Sequence, residues 1–179
     1  MSRSNLTVVM YHYVRDLKHS RYSEIKGLDI NLFKEQIAFL NKNYNVVRME
    51  DVIAASSGDE ILPPHAALLT FDDAYSDHFN NVYPVLKNLN IQGSFYAPVK
   101  AITEHRVLDV NKIHFILAST PHDKMNALLN EIRLLLINYQ EEYNLESYDF
   151  YYEKLAKSNR FDTADIIFIK RLLQVELPE

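Results

Sequence analysis

The sequence predicts an α/β fold in which a parallel sheet or barrel is followed by an α-helical region. Up to about residue 99, short β-rich segments alternate with helical patterns, which is the order of elements in parallel α/β proteins. All three glycines, Gly27, Gly58 and Gly93, lie in this first part, and the rest of the chain carries helical patterns. We therefore divide the chain into residues 1–99 and a mostly α-helical region at 100–179.

Four segments of the first part have the composition of β-strands. Residues 6–13 are rich in β-branched and aromatic side chains. Residues 65–71 form the near-continuous apolar run expected of a strand buried in a parallel sheet. Two further strands are predicted at 44–48 and 91–98.

Helical patterns connect these strands. Asp29 is a suitable N-cap for a helix with apolar side chains at helical spacing, namely Phe33, Ile37 and Leu40. A short helix begins at Met49 and ends near Gly58. Pro84 divides a third helix or starts a new one, because the residue before proline avoids the α conformation. The apolar stripe of this third helix is Phe79, Val82, Tyr83, Leu86 and Leu89.

The second part is predicted to consist of helices. Thr120 followed by Pro121 indicates a helix start, and Asp162 is the predicted cap of the last helix. The apolar side chains at helical spacing are Met125, Leu128, Leu129, Ile132, Leu135, Leu136, Ile166, Ile169, Leu172 and Leu173. Such stripes are packing surfaces or, alternatively, a surface for self-association.

Composition excludes several classes of function. The 179 residues carry a net charge of −5 and no long basic run, which argues against nucleic acid as a partner. The absence of cysteine excludes disulfides, thiolate catalysis and thiolate-bound zinc, so only His, Asp and Glu remain as metal ligands. The N-terminal apolar run is too short for a signal peptide or a transmembrane segment. We therefore expect a cytoplasmic chain, unless a leader has been removed.

Two adjacent carboxylates, Asp72 and Asp73, follow the predicted buried strand. Functional residues of parallel α/β proteins gather at the carboxyl ends of strands. Adjacent residues there point to different sides, so one carboxylate can bind a cation while the other acts as a base. The alternative is that one caps the next helix and the other is solvated. His12, at the end of the first strand, either lines the same site or has only a local structural partner.

The context of this pair resembles the first catalytic motif of the polysaccharide deacetylase family. Residues 68–98 read LLTFDDAYSDHFNNVYPVLKNLNIQGSFYAP. In that family Thr-Phe-Asp-Asp-Gly ends a barrel strand, and a helix with Tyr-Pro-x-Leu-Lys leads to a strand close to Ile-x-Ala-Thr-Phe-Phe. The matching residues are Thr70, Phe71, Asp72, Asp73, Tyr83, Pro84, Leu86, Lys87, Ile91, Ser94 and Phe95. With the similar segments 8–14 and 33–52, the resemblance covers roughly residues 6–99.

The resemblance implies a partial parallel (β/α) barrel and a hydrolase that removes N-acetyl groups from sugars or polysaccharides. The cytoplasmic-looking N-terminus slightly favours surface glycan biosynthesis over extracellular degradation as its setting. The resemblance also implies that Asp73 is a ligand of a divalent metal, most often zinc, and that Asp72 is the general base for the metal-bound water. His12 is a candidate substrate-binding residue. An N-acetylated carbohydrate is the expected partner.

Two departures from the family pattern bear on these roles. Ala74 replaces the family glycine, which is tolerable only if the local φ is negative. The family completes its metal site with a His-(Ser/Thr)-x-x-His pair, and none of the seven histidines is four residues from another. Three explanations stay open: the second motif lies beyond Glu179, Asp73 forms a site with His78, His105 or His114, or the chain is a metal-free relative.

Alternative functions follow from the same departures. A degenerate relative could bind a glycan or act as a scaffold without hydrolysis, and an unrelated α/β hydrolase could use the aspartate pair around another ion. For the chain as given, we expect weak metal binding and little activity.

Overall fold

The structure is a computed structural model that describes residues 5–178. It separates into two compact units, of which the first ends at His105 and the second begins at Arg106. The boundary predicted between residues 99 and 100 lies within a short helix of the first unit, Val99–Thr103.

The first unit alternates strands and helices along the chain. Its strands, within the described residues, are β1 (Leu6–Tyr11), β2 (Val14–Arg15), β3 (Leu28–Asp29), β4 (Asn45–Val46), β5 (Ala66–Asp72) and β6 (Ser94–Tyr96). Its helices are α1 (Ile30–Asn43), α2 (Met49–Ser57), α3 (Tyr83–Asn88) and α4 (Val99–Thr103), and a π-helical turn, His78–Val82, precedes α3.

Strand β5 is the centre of a four-stranded parallel sheet. β1 pairs with it on one side, from Leu6 opposite Ala66 to Tyr11 opposite Phe71. On the other side, β4 pairs with the start of β5 and β6 with its end. β2 and β3 form a separate parallel pair. The prediction of an α/β fold with a parallel sheet is therefore confirmed.

The lengths of the strands differ from prediction except at β5. That strand begins and ends one residue after the predicted range 65–71, and its first six residues are buried. β1 ends at Tyr11 and not at residue 13, because the chain then leaves the sheet to form β2. β4 and β6 are shorter than the predicted segments 44–48 and 91–98, since each pairs with only part of β5.

Helices α1 and α3 cover one face of the sheet. Asp29 caps α1 as predicted, because its side chain accepts a hydrogen bond from the backbone N–H of Asn31. The predicted stripe of α1 is buried in a cluster that comprises Tyr11, Val14, Phe33, Ile37, Leu40, Leu69, Phe71, Val82 and Leu86. Helix α2 also agrees with prediction, since it begins at Met49 and is followed by Gly58 with φ of 86°.

The apolar stripe predicted for residues 79–89 is only partly right. Val82 and Leu86 are buried, whereas Phe79, Tyr83 and Leu89 are exposed. Phe79 lies in the π-helical turn His78–Val82, which contains more residues than an α-helical turn, so its side chain is out of α-helical register with those of α3. Pro84 lies in the first turn of α3, as one of the two sequence alternatives expected.

The second unit is helical. Within the described residues it contains α5 (Asp109–Ser119), a 3₁₀ turn (His122–Lys124), α6 (Met125–Tyr143), α7 (Tyr148–Leu155), α8 (Ala164–Arg171) and a π-helical turn (Leu172–Glu176). Its buried core comprises Ile113, Leu129, Ile132, Leu136, Tyr151, Phe168, Ile169 and Leu172. None of the helices in the described part of the chain is both long and apolar enough to span a bilayer.

Two helix starts in this unit were predicted wrongly. Thr120 ends α5, where its hydroxyl donates a hydrogen bond to the carbonyl of Ile116, and α6 starts only at Met125. The residue before α8 is Thr163 and not Asp162. Asp162 instead accepts a hydrogen bond from the ammonium group of Lys170 over 2.8 Å, so its side chain is used in an ion pair.

Candidate active site

The ends of β1 and β5 bring the predicted base and the strand-end histidine together. Asp72 is the last residue of β5, and His12 directly follows β1. Nε2 of His12 lies 3.9 Å from Oδ2 of Asp72. The two side chains are 46% and 31% exposed, so both can be reached from solvent. This edge of the sheet is where parallel α/β proteins bind ligands.

The turn after β5 places Asp73 and Ala74 in the left-handed region of φ. Their φ angles are 74° and 49°. An alanine at position 74 is acceptable only at negative φ, and this condition is not met. A Cβ atom in this region crowds the backbone, so Ala74 carries strain that the family glycine would avoid.

Tyr75 holds the side chain of Asp73. Its hydroxyl donates a hydrogen bond of 2.5 Å to Oδ2 of Asp73. The Tyr75 ring stacks on Tyr13, with 4.1 Å between the ring centroids and 16° between the planes. Burial raises the pKa of Tyr75 well above its usual value, and the hydrogen bond to Asp73 raises it further. The phenol therefore stays protonated and remains a donor to the carboxylate.

His78 fixes the backbone of His12. Its Nε2 lies 2.8 Å from the carbonyl oxygen of His12, and because a carbonyl only accepts, this nitrogen carries the proton. The imidazole is buried and contacts the rings of Phe71 and Phe95. Its Nδ1 is buried without a hydrogen-bond partner among the described residues. The π-helical turn that begins at His78 is of a type often found near functional sites.

Two further contacts tie the same turn to β2. Nε of Arg15 donates to Oδ2 of Asp77 over 2.7 Å, and both side chains are largely buried. The side-chain amide of Asn81 donates to the carbonyl of Val14 over 2.8 Å. Together with the bond between His78 and His12, these contacts hold the segment after β1 against the segment after β5.

The side chains present do not by themselves fit a zinc site. Zinc sites use about three protein ligands. In residues 5–178, no three His, Asp or Glu side chains come close enough together to hold a metal ion. Asp73 has one oxygen bound to Tyr75, and the protonated Nε2 of His78 is bound to the backbone. The described residues therefore do not form the alternative site of Asp73 with His78, His105 or His114.

The contacts of Tyr75 and His78, and the pair of Arg15 and Asp77, were not predicted from the sequence. A tyrosine two residues after Asp73 in a tight turn is a usable local signal for Tyr75. No local signal marks the other contacts, because His78 and His12 are 66 residues apart and Arg15 and Asp77 are 62 apart.

The chain is similar to known carbohydrate deacetylases, although no protein-family model matches it. It is 29% identical over 86 residues to the poly-beta-1,6-N-acetyl-D-glucosamine N-deacetylase of Escherichia coli strain K12. The protein of the same name from Escherichia coli O157:H7 matches equally. The match covers 47% of this chain and 12% of either protein, so the chain spans a small part of the length of the curated relatives it matches.

Two solved structures resemble the chain with TM-scores below 0.5. The de-N-acetylase from Aggregatibacter actinomycetemcomitans is 32% identical, with 57% of this chain and 40% of that chain covered and a TM-score of 0.48. The Streptococcus pyogenes deacetylase PplD is 18% identical, with 94% and 80% covered and a TM-score of 0.47. The curated similarity confirms the family resemblance inferred from the aspartate motif.

Proposed function

We propose that this chain, a relative of the polysaccharide deacetylases, supplies the general base of an enzyme that hydrolyses N-acetyl groups of a carbohydrate. The observation that carries the proposal is the solvent-accessible Asp72, 3.9 Å from His12 at the carboxyl end of the central strand. The curated relatives act, by their names, on poly-beta-1,6-N-acetyl-D-glucosamine. We therefore propose a polymer of N-acetylglucosamine as the substrate class.

The proposed reaction is hydrolysis of an amide. Asp72 takes a proton from a water molecule, and the oxygen of that water bonds to the acetyl carbonyl carbon. The carbon–nitrogen bond then breaks, and the proton passes to the departing nitrogen, which leaves acetate and a free amine on the sugar. His12 borders the carboxylate, so we propose that it contacts the substrate beside Asp72.

Metal dependence is a separate proposal. The family resemblance implies that Asp73 is a ligand, and its bond to Tyr75 would fix the orientation of the carboxylate. The described side chains do not complete a zinc site, so the reaction above contains no step through an ion. If an ion binds, its remaining ligands are not a cluster of the described residues.

We also propose that the sheet belongs to a (β/α) barrel of which residues 1–99 form the N-terminal part, with residues 100–179 as a helical insertion or extension. All of its pairings are parallel, and parallel sheets are normally covered on both faces. Val8 and Met10 of β1 alternate with core residues and are both more than half exposed. Further strands of a barrel would bury them.

Self-association through the helical unit is likewise proposed. Helix α6 exposes several large apolar side chains, among them Leu134, Leu135 and Ile137. Sedimentation of the purified protein over a range of concentrations tests the proposal, and a Leu134→Glu variant should weaken any dimer that forms through this surface.

A glycan-binding relative without hydrolytic activity is the second candidate function. The observation that keeps this candidate open is that no three metal-ligating side chains come together among the described residues. Both candidates use the same edge of the sheet and the same class of carbohydrate, so they differ only in whether the amide bond is broken.

Release of acetate distinguishes the two. The enzyme candidate predicts slow release of acetate from β-1,6-linked oligomers of N-acetylglucosamine, in line with the little activity expected of this chain, and Asp72→Asn should abolish the release. Asp59→Asn, an equivalent change at an exposed aspartate outside the site, should leave it unchanged. Binding of the oligomer without acetate release would establish the glycan-binding candidate instead, and neither binding nor release would exclude both.

A further inference from the structure

Tyr96 stands beside the proposed base at the same edge of the sheet. It is the last residue of β6, and its register partner in β5 is Asp72. Paired residues of adjacent parallel strands lie about 4.8 Å apart and point to the same face. The strand ends therefore present three neighbours in a row, with His12 on one side of Asp72 and Tyr96 on the other.

Tyr96 does not belong to the buried core, so packing does not explain an aromatic side chain at this position. Phe95, the preceding residue, points to the opposite face, where it stacks on Phe71 with 4.7 Å between the ring centroids. Tyr96 is 47% exposed, and no hydrogen bond or ring contact joins it to another described residue. A large aromatic side chain is thus presented to solvent next to a carboxylate.

This combination suits one chemical class of ligand. The face of an aromatic ring carries partial negative charge, and the axial C–H bonds on the face of a pyranose carry partial positive charge, so the two stack. A neighbouring carboxylate accepts hydrogen bonds from sugar hydroxyl or amide groups. An aromatic ring and a carboxylate side by side therefore hold a sugar ring and orient its substituents.

We propose that Tyr96 is a sugar-binding residue, on whose ring an N-acetylglucosamine unit stacks so that its acetamido group lies at Asp72. The inference rests on the proposed function, because it takes the carbohydrate substrate from there. It adds the site at which the sugar ring is held, and it assigns specificity for a pyranose to the end of β6.

The test uses NMR to measure the binding of a β-1,6-linked N-acetylglucosamine tetramer to the full chain. We expect Tyr96→Ala to weaken binding by about tenfold, and Tyr96→Phe, which keeps the ring, to bind within about threefold of the original protein. Tyr83→Ala is the matched control, since Tyr83 is equally exposed at 47% and lies on α3, outside the row of strand ends. It should bind as the original protein does.

Contacts in the unsubstituted protein provide a second measurement that does not depend on the folding of a variant. Nuclear Overhauser effects between sugar C–H protons and the Tyr96 ring are expected. The proposal is overturned if Tyr96→Ala binds as tightly as the original protein, if Tyr96→Phe is as weak as Tyr96→Ala, or if these contacts are missing.

Acetate release that depends on Asp72 but not on Tyr96 would reject this inference and leave the proposed function standing. Binding that depends on Tyr96 without acetate release would support this inference and reject the hydrolytic function.

Discussion

The hydroxyl of Tyr75 donates a 2.5 Å hydrogen bond to Oδ2 of Asp73, two residues earlier in the same turn. A short bond to a charged acceptor is among the stronger hydrogen bonds in proteins. It fixes a carboxylate whose backbone is already in the left-handed region. Asp73 is therefore oriented by its own turn and needs no distant partner for this.

We expect Tyr75→Phe to lower the free energy of unfolding of the first unit by about 2 kcal/mol, because it removes a charge-assisted hydrogen bond and keeps the stacking on Tyr13. Denaturant unfolding followed by hydrogen exchange in β5 measures the change. Tyr152→Phe is the control, since it removes a comparable 2.7 Å bond to Asp165 in the second unit. An unchanged stability of the first unit would contradict the expectation.

Ala74→Gly should stabilise the first unit by about 1 kcal/mol, because glycine adopts φ of 49° without the crowding that Cβ causes. Ala74 is exposed, so little packing is lost. The same substitution within helix α2, Ala54→Gly, should destabilise by about 1 kcal/mol. Thermal and denaturant unfolding measure the change in stability of each variant, and the two changes should have opposite signs. Destabilisation by Ala74→Gly would show that the turn does not strain alanine.

The ion pair of Arg15 and Asp77 is expected to be important for stability. Asp77→Asn removes the charge but not the shape, and it leaves the largely buried guanidinium of Arg15 without its counter-ion. We expect a loss of about 3 kcal/mol in the free energy of unfolding. Asp16→Asn breaks the exposed pair with His19 and should have no measurable effect. Equal effects of the two substitutions would refute this ranking.

A zinc-binding measurement tests directly whether the side chains of this chain supply enough ligands for a metal ion. The described residues bring no three ligands together, so calorimetry should detect no saturable binding of zinc at micromolar concentrations. Asp73→Ala should then give the same heats as the original protein. Micromolar affinity that disappears in Asp73→Ala would prove this expectation wrong, and would mean that Asp73 forms a site with ligands that move on binding.

Local patterns were sufficient to predict the central strand β5 and the position of Asp72 at its end. The apolar run of β5 and the carboxylates after it are contiguous in the sequence. One segment therefore predicted both the strand and the place of Asp72 at its carboxyl end. The cap at Asp29 and the end of α2 at Gly58 also depend only on neighbouring residues.

Other features depend on distant partners and could not be predicted. The lengths of β4 and β6 are set by how much of β5 each contacts. The π-helical turn takes Phe79 out of the predicted stripe. The contacts of His78 with His12 and of Asp77 with Arg15 connect segments more than sixty residues apart. The sign of φ at Ala74 likewise appears only in the folded turn.

Tyr152 should make the stability of the second unit sensitive to alkaline pH. The hydrogen bond to Asp165 and, to a smaller extent, burial raise the pKa of Tyr152 from 10.0 to about 12. A pKa that is higher in the folded state than in the unfolded state gives stability that is complete below pH 10 and is lost as the pH rises through about 12. We therefore expect the stability difference between the original protein and Tyr152→Phe to shrink over this interval. Denaturant unfolding of both proteins at pH 9 and at successive steps above pH 10 measures it, and a difference that stays constant would contradict the role of this hydrogen bond.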